Sequence, residues 1–354
     1  MNDRENILSL FKRQGYERVP FDFGLCPSLE EEYRKNTGSD LYYGDYFNFP
    51  FKGIPGIGGQ YAPEKFVSWY KDMGLKEGTY IDDWGVAHEP GSKEAFHMTR
   101  MRHPLQGIDD LELIKSYPFP DYSKGESHWQ KPSADEIHKE GKAACGFAEC
   151  TIWETAWYVR SMEDLMVDMM TESPIAEFIL DKVTEQVVIK TEAFAKAGAD
   201  ILFTGDDIGT QKTAMMSLPL YQTWIKPRFK KVIDAARAIN PDILIHYHSC
   251  GYALPFFDDL IEVGVDIINP LQSESMDVFE VLREYGDRVS FHGAIGTQTI
   301  MPFGTPDEIK KMVWKILDAA GSKGGILPSP THVLEPEVPW ENVVAYMEAC
   351  KSYK

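Results

Sequence analysis

The chain has 354 residues, 43% of them apolar and 26% charged, the balance of an ordinary globular protein rather than of a disordered one. Its 36 basic against 55 acidic side chains leave a formal net charge of −19, which argues against nucleic acid or an anionic membrane as a partner. No stretch reaches the roughly 18 apolar residues that span a bilayer, and MNDRENILSLFKRQG lacks the apolar core of a secretory signal, so the expected location is the cytoplasm.

In chain order, the short helix ENILSLFKRQG leads into RVPFDFG, which reads as a first strand. Residues from about Cys26 to Pro132 are rich in Gly, Pro and aromatics. Within them YIDDWGVAHEP and EAFHMTRMRHPL are expected to pair as an antiparallel hairpin over the mouth of the fold. From residue 140 onward, β-branched runs alternate with amphipathic helical stretches, the pattern of parallel strands joined by crossover helices. Strands are expected at 142–147, 200–204, 242–247, 265–269, 288–292 and 325–327, with helices stopped by Gly198, Gly264 and Gly321. That makes seven strands of a fold needing eight. The expected class is α/β, a (β/α)8 TIM-type barrel forming one domain over 1–354, with an elaborated N-terminal insertion at about 26–132 covering the mouth.

The strand DILIHYHSCG carries the sharpest chemical signal. Side chains two apart on a strand share a face, so His246, His248 and Cys250 point the same way. His248 and Cys250 fall where the strand ends, the place at which barrels of this kind put their functional groups, and an imidazole with a thiolate suits zinc. His246, one step deeper, reads as a core or supporting residue. The five cysteines, Cys26, Cys145, Cys150, Cys250 and Cys350, show no disulfide spacing and are expected to be reduced thiols.

These segments, HYHSCGYALPFFDDLIEVGVDIINPLQ, HGAIGTQTIMPFGTPDEIKKMV and ILPSPTHVLEPEVPWENVVAYMEA, closely resemble the uroporphyrinogen decarboxylase-like superfamily, and the likeness extends through ADILFTGDDIGTQKTAMMSLPLYQTWIKPRFKKVIDAAR to the RVPFDFG opening. The resemblance implies one of two activities on a (β/α) barrel: decarboxylation without a cofactor, or zinc-dependent methyl transfer to and from a corrinoid carrier protein. The decarboxylases of the family carry an arginine-rich opening of the form FMRQAGR, where this chain has PFDFGLCPSLEEEYRKN. Its thiol-directed methyltransferases hold zinc with a His-x-Cys pair and a second Cys far downstream. His248 and Cys250 match the pair, whereas PSPTHVLEP offers His332 in place of the second Cys.

The third metal ligand stays open between His332 and two carboxylates, Glu149 and Glu154 of FAECTIWETAWYVR, each of which follows a strand and equally suits a general base. Of Asp206 and Asp207 only one is expected to face the mouth, because neighbouring side chains diverge; Asp207 is the better candidate to orient a substrate or ligand, and Asp206 the better helix cap. Gln211, Gln272 and Gln298 occupy similar strand-end positions, and the aromatics Trp84, Trp153, Trp157, Tyr158 and Tyr252 flank the motifs. Trp153, Tyr252 and Gln298 are taken as substrate-binding. No nucleotide-binding glycine motif and no GxSxG elbow is present. The expectation is a methyltransferase, an O-demethylase component that uses zinc and passes the methyl group to a corrinoid on a separate protein. A decarboxylase and a non-catalytic ligand-binding barrel are the alternatives.

Overall fold

A computed structural model describes residues 1–59, 61–91 and 98–354. Among the described residues ten strands form two sheets. In chain order they are β1 (Phe51–Gly53), β2 (Tyr80–Ile81), β3 (Ala87–Glu89), β4 (Arg100–Arg102), β5 (Ala143–Glu149), β6 (Ile201–Gly205), β7 (Leu244–His248), β8 (Ile267–Asn269), β9 (Ser290–Ile295) and β10 (Ile326–Pro330). Seven of them pair in parallel in the order β1-β5-β6-β7-β8-β9-β10, curling into a TIM-like barrel wall with helices outside.

All six strands expected after residue 140 are present within a few residues of their expected positions. The helix stops are also as expected: Gly198 and Gly264 end their helices with positive φ (93° and 109°), a conformation that glycine adopts without steric cost, and Gly321 does the same at 75°.

The front of the chain differs. RVPFDFG is extended but makes no ladder, because Pro20 has no N–H to donate and the Asp22 carbonyl is taken by the hydroxyls of Ser329 and Tyr346. Its one strand-like contact is the parallel bridge Leu25–Leu334 beside β10. Phe21 and Phe23 pack edge-on against Phe49, just before β1, so this segment fills the gap between the first and last strands. The strand missing from the sequence count is β1, three residues long and followed closely by Pro55, too short to show a period.

The stretch 26–132 is therefore not one insertion, since it contributes a barrel strand. The added part follows β1 and carries the antiparallel sheet β2-β3-β4, in which Ala87 pairs with Arg102 and Glu89 with Arg100. Residues 94–97 of the expected hairpin lie outside the described residues. The insertion docks beside the mouth: His103 Nδ1 lies 2.8 Å from the Tyr158 carbonyl, and buried Arg160 donates to the carbonyls of Leu105 and Ile108.

The barrel floor is apolar. Ile7, Leu10 and Phe11 of the helix Asp3–Phe11 close on Ala143, Cys145, Ile201, Leu244, Ile267 and Leu327 from the strands. His248 ends β7 and the polar residues after β6 and β7 follow at the opposite, C-terminal ends of the strands, where barrels of this kind place their chemistry.

Candidate metal centre

β6 and β7 run in register, Gly205 beside His248, so the residues that follow each strand meet at the mouth. Asp207, His248 and Cys250 each bring a donor atom within 4.8 Å of the other two. His248 Nε2 is 3.4 Å from Cys250 Sγ and 3.8 Å from Asp207 Oδ1, and the same Asp207 oxygen accepts the Cys250 backbone N–H at 2.7 Å. The two loops interlock. Tyr252 N donates to the Thr210 carbonyl at 2.7 Å, and a Cβ on Gly251 (φ 79°) would come within 2.4 Å of that oxygen, so glycine is what lets the backbones approach.

The imidazole is oriented from behind. Asn269, ending β8, donates through Nδ2 to the His292 carbonyl at 3.0 Å, which turns its Oδ1 toward His248 Nδ1 at 2.6 Å. An acceptor there fixes the proton on Nδ1 and leaves the Nε2 lone pair facing Cys250 and Asp207. Burial opposes a proton on His248, but the bond to Cys250 and the charges of Cys250 and Asp207 prevail and push its pKa up to about 10. The sulfur and the carboxylate thus converge on an imidazole whose proton they favour.

Asp206 and Asp207 diverge as expected. Asp206 is fully buried and accepts the N–H groups of Ile152 (3.0 Å) and Glu154 (2.9 Å), capping the helix Trp153–Arg160, which has no cap of its own. Glu154 then holds the neighbour, accepting the Asp207 N–H at 3.1 Å and the Tyr158 hydroxyl at 2.8 Å. Burial, reinforced by the Asp207 charge, raises its pKa. Glu154 thus acts on the loop that presents Asp207 rather than lying among the donors.

Glu149 ends β5 facing the interior and makes no hydrogen bond to a described residue; burial raises its pKa against the pull of His248 and His292. The His332 ring lies 6.5 Å, centre to centre, from that of His248, beside the donor trio but not within it, and burial followed by the His248 charge lowers its pKa. Trp153 is 0% exposed and sits in the core, so the substrate contact expected of it is corrected to a supporting one. Tyr252 is half-buried at the interlocked loops, and Gln298 is exposed on the rim, its N–H bound to Glu274 and its amide 3.4 Å from Gln211.

One layer below the trio lies a chain that the sequence did not reveal. Asp22 Oδ1 is 3.0 Å from His292 Nε2, and His292 Nδ1 is 3.1 Å from His246 Nε2. With Asp22 accepting, His292 Nδ1 is the acceptor for His246, whose own Nδ1 is left buried without a partner. Asn269, His292 and Asp22 were not among the candidates that the sequence offered. The available signals were the polar end of VDIIN and the inward position of His292 in RVSFHG.

The donor types fit zinc: an imidazole oriented by Asn269, a cysteine sulfur and a carboxylate, with no fourth His, Cys, Asp or Glu of the described residues joining the group.

The model of the family described as uroporphyrinogen decarboxylase (URO-D) matches residues 100–353. Uroporphyrinogen decarboxylase of Coxiella burnetii is 22% identical over 186 residues, 52% of this chain and 50% of that protein. The Serratia proteamaculans enzyme is 23% identical over 205 residues, 56% of this chain and 55% of its own length. The chain thus spans about half the length of the curated relatives it matches. Among solved structures, a methyltransferase from Methanosarcina mazei superposes with a TM-score of 0.68 over 99% of this chain and 98% of that one, at 18% identity, a likeness of fold. No helix among the described residues is long and apolar enough to cross a membrane. On the family match the chain belongs to the uroporphyrinogen decarboxylase family.

Proposed function

We propose that this protein is a zinc-dependent methyltransferase component that moves a methyl group from a small methoxylated substrate to a corrinoid carried by a separate protein. The observation that carries the reading is the Asp207–His248–Cys250 trio with Asn269 fixing the imidazole tautomer. A decarboxylase working without a cofactor has no use for a thiol and an imidazole so arranged. The methyltransferase likeness of the overall fold is consistent with the same choice.

Bound there, zinc would act as a Lewis acid toward the oxygen that leaves when the methyl group departs. Asp207, His248 and Cys250 would hold it, leaving one position open as catalytic zinc sites do. The carboxylate restores the two negative donors that a Cys-to-His exchange at the downstream position removes. It does so with a hard oxygen in place of a second soft thiolate, so the metal remains the more electrophilic and demethylation is the favoured direction. Glu154 keeps the Asp207 loop in place through its backbone N–H. Glu149, whose pKa burial raises and which has no hydrogen-bond partner among the described residues, would give a proton to the departing oxygen.

The test is reconstitution. With a cognate corrinoid protein held as cobalt(I), a methoxylated donor should discharge the cobalt(I) absorbance only when this protein and zinc are both present. Cys250→Ala should be slow even at saturating donor. Full-rate transfer after complete zinc removal, or decarboxylation of a tetrapyrrole at a useful rate, would defeat the proposal.

A further inference from the structure

The turn that carries Cys250 is held along three successive N–H groups. Cys250 N–H donates to Asp207 Oδ1 at 2.7 Å, Gly251 N–H to Gln272 Oε1 at 2.6 Å, and Tyr252 N–H to the Thr210 carbonyl at 2.7 Å. Two of these acceptors lie on the loop after β6, and Asp207 is itself one of the trio. The remaining one, Gln272, comes from a separate strand end, beyond Asn269 of β8. Gly251 is buried and Gln272 is 4% exposed, so removing the amide oxygen would leave the Gly251 N–H without a partner.

The other end of the same amide reaches the Asp207 loop. Gln272 Nε2 donates to Gln211 Oε1 at 3.3 Å, an oxygen that also takes Gln298 Nε2 at 3.4 Å. Gln211 stands at the tip of that loop, inside the turn closed by the Thr210 N–H on the Thr213 carbonyl at 2.7 Å. One planar group therefore bonds the Cys250 turn with its oxygen and the Asp207 loop with its nitrogen, and the backbone donor at Gly251 fixes which atom faces which loop. Asp207 Oδ1 faces two demands, the Cys250 N–H and His248 Nε2 at 3.8 Å. Where that oxygen also serves a metal it has less to give the N–H, and the turn then depends on Gln272 and Thr210.

We propose that Gln272 is a positioning residue of the metal centre: its amide sets the Cys250 sulfur against the Asp207 carboxylate by bonding both loops at once. The metal in this assignment rests on the reading of the trio given above; the hold on the turn rests on the hydrogen bonds alone.

Zinc competition on the full chain tests it. Gln272→Met keeps the length of the side chain and removes the acceptor, and should weaken zinc binding about tenfold. Gln272→Glu restores the acceptor and should stay within about threefold of the parent. Gln211→Ala, at an exposed position, should cost about threefold and serves should the methionine variant fold poorly. In cobalt(II)-substituted protein the sulfur-to-metal charge-transfer band should weaken in Gln272→Met and return in Gln272→Glu. In metal-free protein, amide exchange at Cys250 and Tyr252, whose own acceptors are intact, should quicken at least about tenfold in Gln272→Met. Parental zinc affinity in both Gln272→Met and Gln211→Ala, equal losses in the methionine and glutamate variants, or faster exchange confined to Gly251 would overturn the assignment. A parent that binds neither zinc nor cobalt, with the exchange effect as expected, would remove the metal centre and leave Gln272 as the residue that holds the turn. Tight zinc binding indifferent to Gln272 would do the reverse.

Discussion

Asn269→Ala isolates the group that orients the imidazole of the candidate metal centre without touching a donor atom. The substitution removes two hydrogen bonds, the 2.6 Å contact to His248 Nδ1 and the 3.0 Å bond to the His292 carbonyl. Each is worth about 1 kcal/mol to folding, so the variant should remain folded with a modest loss. Only the first acts on the metal. Without an acceptor at Nδ1 the imidazole is free to carry its proton on Nε2, the atom that must be bare to bind zinc, and outer partners of this kind are worth about 10- to 100-fold in metal affinity. That is roughly 1.4–2.7 kcal/mol. Competition with a zinc chromophore of known affinity reads the loss, and nitrogen-15 chemical shifts of the metal-free protein read the tautomer. Asn269→Asp keeps the acceptor but sets a carboxylate oxygen against the His292 carbonyl, so it should retain zinc while losing folding stability. Undiminished zinc affinity in Asn269→Ala, with the Nδ1–H tautomer still dominant, would refute this account of the site.

Protein purified without chelator should hold about one zinc per chain by elemental analysis, and Asp207→Ala, His248→Ala and Cys250→Ala should each lower that content strongly, whereas His332→Ala should leave most of it. Loss of zinc in the His332 variant with retention in the Asp207 variant would move the third ligand back to the downstream loop. Arg160, 2% exposed, binds Asp168 at 2.9 Å as well as the two insertion carbonyls, so Arg160→Met should cost about 3–5 kcal/mol in urea unfolding by leaving Asp168 buried without its cation. Burial lowers the His103 pKa in spite of its bond to the Tyr158 carbonyl. Below its ordinary pKa of about 6.5 the unfolded chain takes up a proton that the folded chain resists, so stability is lost as the solution is acidified, and His103→Gln should lose less than the parent between about pH 7.5 and 5.5.

What could be read from the sequence divides along a physical line. The strands from β5 to β10 were legible because each is flanked by a long amphipathic helix ending at a glycine, so local pattern and global fold agree. β1 was not, because a three-residue strand close to Pro50 and Pro55 has too little length for a period, and RVPFDFG was mistaken for its equivalent because extended backbone and laddered backbone look alike in one dimension. The same division runs through the site. His248 and Cys250 were found since two residues on one strand share a face whatever surrounds them. Asp207, expected only to orient a substrate or ligand, joins them as a donor through the registry of β6 against β7, a relation between segments about forty residues apart that no spacing rule encodes.

The aromatics show the limit most plainly. Of the aromatics flanking the motifs, Trp153 and Tyr252 were taken as substrate-binding, yet Trp153 is 0% exposed and, like Trp84, belongs to the core. The ring that does face open space is Phe147, inside a run, AACGFAEC, that reads as an ordinary buried strand. Its exposure depends on what the opposite strands leave out: a bare Gly205 beside His248, a bare Gly53 against the ring, and an apolar plug that stops a layer lower. A cavity is a property of missing side chains on several strands at once.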